Sequence, residues 1–336
     1  WTSDRPMIAS GPYQLSEWKL NDYARLERNP EWHDGKAPTA TIIWKPMEDS
    51  LSALRLFLSG GADIAADYPP SRHQWLKDNH PAVTHSVPYL GSYYFAFNTR
   101  MPPFDDPRVR TALSMAVERE WIADKVIGVD NIPAWGLLPP GLEGQEPLRP
   151  EWADWPREKR LRSARGLLAA AGYGPDRPLR FEIRFNSSAE HRRVSVAMAA
   201  MWQPLGVEAS LFNSEAALHF AALRRHEFAL ARSGWIADLP TPENFLLVHQ
   251  QANGAGNYSG YANPDYDRIL AQAIAEPDPR QRQQLMRKAE AQLITDMPIL
   301  PLYFYVTRSL VAERIAGWED NISNVHPSRT LRIRAR

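Results

Sequence analysis

The sequence contains no cysteine, which excludes disulfides, thiolate nucleophiles and cysteine-ligated zinc together. It also lacks net charge. Thirty-nine Lys and Arg balance thirty-nine Asp and Glu, so nothing electrostatic argues for nucleic acid as a partner. No apolar run approaches the ~18 residues of a membrane-spanning helix. The opening Trp1 to Ser10 lacks the positive-then-apolar layout of a signal peptide, so the expectation is a soluble, already processed or shortened chain. The nine histidines form no HExxH pair and no His/carboxylate cluster with metal spacing, so neither a metal nor a cofactor is expected. Neither GxSxG nor the P-loop pattern occurs. Gly254, Gly256 and Gly260 follow no strong strand and read as a turn. Ser16 to Lys19 spells SxxK, but within a strand-like alternation where that motif needs a helix start. Adjacent acids such as Glu48/Asp49 and Asp105/Asp106 point apart and suit turns and caps.

What is present describes a folded protein of two or three lobes. There are 336 residues, 44% hydrophobic and 23% charged, well outside the composition of disorder. Proline is abundant, 29 residues against a usual ~5%, and it is spread along the chain, which predicts many short elements joined by stiff turns. The twelve tryptophans are expected mostly in the core.

Residues 11–28 alternate with period two around Asn21 and Asp22, a hairpin. A strand over 41–45, a helix over 50–58 stopped by Gly60 and Gly61, and a strand at 62–65 follow. Residues 83–98 predict two strands or a domain crossing. Asp106 before Pro107 starts a helix, because its carboxylate accepts from free N–H groups and proline suits the first position. A Pro- and Gly-rich loop over 132–150 leads to a helix at 156–171. Then come strand 181–185, helix 189–202 and strand 207–212. After them are read helix 214–226, strand 228–235, helices near 243–250, 264–275 and 279–295, and a buried strand after Pro298. Strand, helix, strand in succession predicts an α/β fold, mixed sheets with crossover helices.

Three stretches in order, Gly11-Pro12-Tyr13, the segment PPFDDPRVRTALSMAVERE from Pro102 to Glu120, and Gly234-Trp235-Ile236-Ala237-Asp238, resemble family 5 solute-binding proteins of ABC importers. Asn29 to Trp32, Leu58 to Ile64, Pro264 to Asp267 and Asp296 to Tyr303 extend the likeness over nearly the whole chain. Ala231 to Asp238 is most similar to the oligopeptide-binding branch. The resemblance implies a periplasmic-binding-protein-like (class C, type II) fold. One lobe would comprise residues 1–90 with 305–336 returning to it, and a ligand-binding lobe 91–304. It further implies a segment before the GPY strand, with part of lobe one and a small extra domain, and this chain is expected to be the C-terminal part. A ligand would then be gripped from one side and bound weakly.

Carried over residue by residue, Asp238 takes the position that pairs with a peptide α-ammonium, which a buried amine requires. An Asx-type turn before Pro240 is its competing role. Arg232 takes the place that offers charge to the peptide carboxylate, against a surface ion pair. His191 takes the same role for another ligand length, against a solvated helix face. Gly234, Trp235, Ile236 and Ala237 supply a backbone edge to which a ligand adds as a strand. Trp235 walls a side-chain pocket or packs in the core, and Tyr305 stands near the ligand. Leu239-Pro240-Thr241 replace the branch's aromatic, Asn and Glu, and Ile127 replaces a basic position after Lys125-Val126.

The function implied is capture of short peptides in the periplasm, or outside a membrane, for permease and ATPase subunits, without catalysis. Dipeptide, murein-peptide or nickel-chelate binding is the alternative within the family, and a signalling receptor on the same fold is another. An α/β hydrolase is the reading from a different class.

Overall fold

The computed structural model describes residues 7–142 and 146–334, so part of the opening stretch and the middle of the 132–150 loop lie outside the described residues. The chain divides into two compact units, residues 1–87 with 307–336, and residues 88–306.

In the first unit, β1 (Tyr13–Lys19), β2 (Tyr23–Arg28) and β3 (Thr41–Trp44) form an antiparallel sheet. The hairpin turn takes its bend from Asn21, whose φ of 60° suits an Asn side chain. Helix α1 (Ser50–Leu58) starts where the Asp49 carboxylate accepts from the N–H groups of Leu51 and Ser52, so this acid is a cap as read. Next come β4 (Ile64–Ala65), α2 (His73–Asn79) and β5 (Thr84–Phe97). Helix α2 was missing from the sequence reading, and residues 83–98, read as two strands or a domain crossing, carry one continuous strand that passes from the first unit into the second between Val87 and Pro88.

In the second unit, α3 (Pro107–Ala116) is capped by Asp106. The short α4 (Arg119–Trp121) continues into a π-helical turn over Ile122–Ile127, and β6 (Ile132–Pro133) follows. Then come α5 (Arg157–Ala170), β7 (Arg180–Asn186), α6 (Ala189–Trp202), β8 (Glu208–Ser214), α7 (Ala216–Arg224) and β9 (Leu230–Ile236). Helices α8 (Pro242–Leu246), α9 (Pro264–Ala275) and α10 (Pro279–Asp296) precede β10 (Ile299–Val311). The predicted helix 243–250 is thus cut to five residues and a 3₁₀ turn, since Gln250 turns extended. The chain ends in the first unit with the two-residue strands β11 (Ile315–Ala316) and β12 (Arg332–Ile333), which pair with each other.

The sheet of the second unit runs β10-β5-β9-β7-β8, with β7 parallel to both β8 and β9 and β5 antiparallel to β9. Phe97, Phe104, Leu113, Phe181, Ile183, Trp202 and Leu300 belong to one buried core. The Arg110 of the PPFDDPRVR segment is itself buried. Its guanidinium donates to the carbonyls of Phe104, Asp296 and Met297 and so satisfies the open end of α10. The expectation for tryptophan fails: among the described residues, Trp135 and Trp202 alone of the twelve are fully buried, while Trp18 and Trp44 are about 60% exposed. These two stand in one cross-strand row with Ala24 between them.

Candidate functional site

The second unit gathers polar groups at the carboxyl ends of its parallel strands β7 and β9, where open α/β sheets place ligands. β7 ends at Asn186, and Ser188 caps α6 by accepting from the Glu190 N–H, so Glu190 and His191 fall in the first turn beside that strand end.

On β9, Arg232, Gly234 and Ile236 share a face with their cross-strand partners Phe95, Tyr93 and Gly91. The Arg232 guanidinium lies 4.8 Å over the Tyr93 ring. It donates to the Tyr305 hydroxyl at 3.0 Å and, at 3.4 Å, reaches the Asn186 side-chain oxygen. Its Nε is buried without a partner, and no described carboxylate forms an ion pair with it. The surface ion pair considered for Arg232 is therefore wrong, because Tyr93, Tyr303 and Tyr305 enclose the group in aromatic surface.

His191 also meets Tyr93, its Nδ1 standing 3.1 Å from the phenol oxygen. Burial, aided by the nearby Arg232 charge, pushes its pKa down to about 3, so the imidazole is neutral at physiological pH. His191 therefore presents a neutral, hydrogen-bonding ring, and the positive charge of the cluster is that of Arg232. Tyr303 stacks on Tyr93 with centroids 4.5 Å apart and donates to Glu190 at 2.9 Å. Sequence reasoning missed Tyr93, Tyr303 and Glu190, because a tyrosine inside an apolar strand run looks like core.

Two glycines make room for Tyr305. A Cβ on Gly91 would sit 2.5 Å from the Tyr305 ring and one on Gly234 would sit 3.0 Å from its hydroxyl. We expect Gly91→Ala to cost about 1–3 kcal/mol by overpacking. In a denaturant titration, an unchanged midpoint would show that the ring yields freely.

The expected backbone edge is half available. Ala237 donates its N–H to the Leu90 carbonyl at 2.8 Å, so by antiparallel alternation Trp235 and Ser233 also turn their main-chain groups to β5. Gly234 and Ile236 turn theirs away, past the point where the register between β7 and β9 ends at Ala231. Trp235 and Ala237 are therefore not part of the open edge. Trp235 points to the opposite face from Arg232, where its indole N–H donates to Asn244 Oδ1 at 3.0 Å. It is half-buried, neither core nor part of the Arg232 cluster. Asp238 follows the strand, exposed; its backbone N–H reaches the same Asn244 oxygen at 3.3 Å, and its carboxylate has no partner among the described residues. The structure thus brings Arg232, His191, Tyr305 and Gly234 together and leaves Trp235 and Asp238 as a second group joined through Asn244.

The model of the bacterial extracellular solute-binding proteins, family 5 (middle), matches residues 1–257. The chain belongs to this family. The family 5 chain is 34% identical to the periplasmic oligopeptide-binding protein OppA of Escherichia coli K12 over 331 residues, 97% of this chain and 61% of that protein. It is 33% identical to the periplasmic murein peptide-binding protein MppA of the same organism over 336 residues, 99% and 62% of the two. The solved structure of the Escherichia coli murein tripeptide binding protein MppA superposes with a TM-score of 0.84, covering 99% of this chain and 66% of that one at 33% identity. The family 5 chain therefore spans about three fifths of the length of these two curated relatives. Its mixed sheet with crossover helices is the fold of a periplasmic binding protein.

Proposed function

We propose that this chain carries the peptide-gripping surface of the substrate-binding component of an ABC importer, working in the periplasm with permease and ATPase subunits and without catalysis. The observation that carries the reading is the half-buried Arg232 guanidinium, whose Nε is buried and unbonded and which has no carboxylate counter-ion among the described residues. A partly dehydrated cation left without an anion costs the free protein some stability and is neutralised when a ligand carboxylate arrives. The N–H and C=O groups of Gly234 and Ile236 beside it suit strand addition. Asp238, beyond the strand's end, suits the ligand's α-ammonium.

The lobes would follow residues 1–90 with 305–336, and 91–304. The alternative hydrolase reading finds no support at Ser16, whose hydroxyl donates to the Arg25 carbonyl on an exposed strand and meets no base.

Native mass spectrometry of the purified protein tests the proposal. Asp238→Ala is expected to lose peptides with free amino termini, with affinity down on the order of 100-fold. Unchanged occupancy by such peptides would remove Asp238 from the role.

A further inference from the structure

The carboxylate assigned to the ligand ammonium is exposed, and no described side chain holds it in place. What orders it must act through the backbone. The segment from Asp238 into the first turn of α8 at Asn244 closes on itself. Thr241 donates to the Leu239 carbonyl at 2.8 Å, Asn244 donates to the Thr241 carbonyl at 3.2 Å, and Pro240 and Pro242 fix two φ angles within it. The closing link is the Asn244 side chain. Its Oδ1 accepts from the Trp235 indole N–H at 3.0 Å and from the Asp238 backbone N–H at 3.3 Å. Both neighbours are obligatory donors, so the side-chain oxygen, and not the amide nitrogen, must face them.

We propose that Asn244 is a positioning residue for ligand recognition: by tying the Asp238 backbone to the Trp235 ring, it fixes the direction from which the Asp238 carboxylate meets a ligand amine. This rests on the reading of Asp238 given above and adds to it the group that sets its geometry. The family-branch residues expected after the aspartate are replaced here by Leu239, Pro240 and Thr241, none of which offers a side-chain bond to Asp238.

The test compares tri-alanine with N-acetyl-tri-alanine as probes of the full chain, in titrations followed by the Trp235 indole resonance and by calorimetry. The natural chain should prefer the free amine. Asn244→Ala should shrink that preference by about threefold to tenfold, the worth of a lost hydrogen bond, and shift the indole resonance. Asn244→Asp keeps the accepting oxygen and should keep the preference.

Equal weakening of both probes by Asn244→Ala would mark a merely structural residue and overturn the inference. So would loss of the preference in Asn244→Asp. If Asp238→Ala abolishes the preference and Asn244→Ala leaves it intact, the inference fails while the Asp238 reading stands. If Asp238→Ala leaves it intact too, both fail.

Discussion

Replacing Arg232 with methionine is expected to stabilise the ligand-free chain while abolishing its preference for peptides with a free terminal carboxylate. The guanidinium is held by the Tyr305 hydroxyl and the Tyr93 ring, with Nε buried and unbonded. Hydroxyl oxygens and a ring face do not repay the dehydration of a full charge, and an apolar side chain of similar length removes that debt. The gain should be about 1 kcal/mol or more in a urea titration. The same change removes the one permanent cation of the cluster, and His191, neutral at physiological pH, cannot substitute for it. Discrimination between tri-alanine and its C-terminal amide should fall on the order of 100-fold, to near unity. A destabilised variant that still separates acid from amide would show that Arg232 is structural.

The second large effect belongs to Glu290 on α10, which is fully buried. One carboxylate oxygen accepts from the N–H groups of Leu137 and Leu138 at 2.8 and 2.9 Å, and the other is buried without a partner. Leu137 in turn accepts from the Ser92 hydroxyl on β5, so one acid holds the strap against the sheet. Glu290→Ala leaves two buried donors unanswered and should cost about 2–5 kcal/mol.

Burial outweighs those two amides, which favour the charged form, and the Arg287 charge on the same helix, and raises the Glu290 pKa to about 7. The other titratable group facing it is Tyr266 of α9. The folded state therefore keeps a proton that the unfolded chain releases near the ordinary carboxyl value of 4.5, so the contribution falls as pH rises to about 7 and is level above. The half-buried His191 and the buried His219 and His249, all with lowered pKa, act in the opposite sense below about 6.5. The clean measurement is the difference between the natural chain and Glu290→Gln, which should change by about 2 kcal/mol between pH 5 and pH 8 in favour of the glutamine. A difference that stays flat would place the titrating group elsewhere.

Much of the fold was legible because local signals agreed with it. Asp49, Asp106 and Pro264 start helices where capping chemistry put them, and Phe181, Ile183 and Phe185 alternate inward along β7. Helix α2 was not legible, since its seven residues carry too few turns for a period to show. The tryptophans misled because a large apolar side chain signals contact with something, without saying that the contact lies in this unit's core. At the candidate site, the family motif named Arg232 and Asp238, but their surroundings come from distant parts of the chain. Tyr93, Glu190 and Tyr303 meet Arg232 and His191 only through strand pairing and one helix entry, and Asn244 sits in the short helix α8, which no motif marks.

The alternation along β9 also limits what the proposed ligand can reveal of itself. Gly234 and Ile236 alone turn amide and carbonyl outward, two residues apart, so a guest is read at every second link and the intervening link goes unread. Such an edge would sense the span of an extended chain and be blind to much of its spelling.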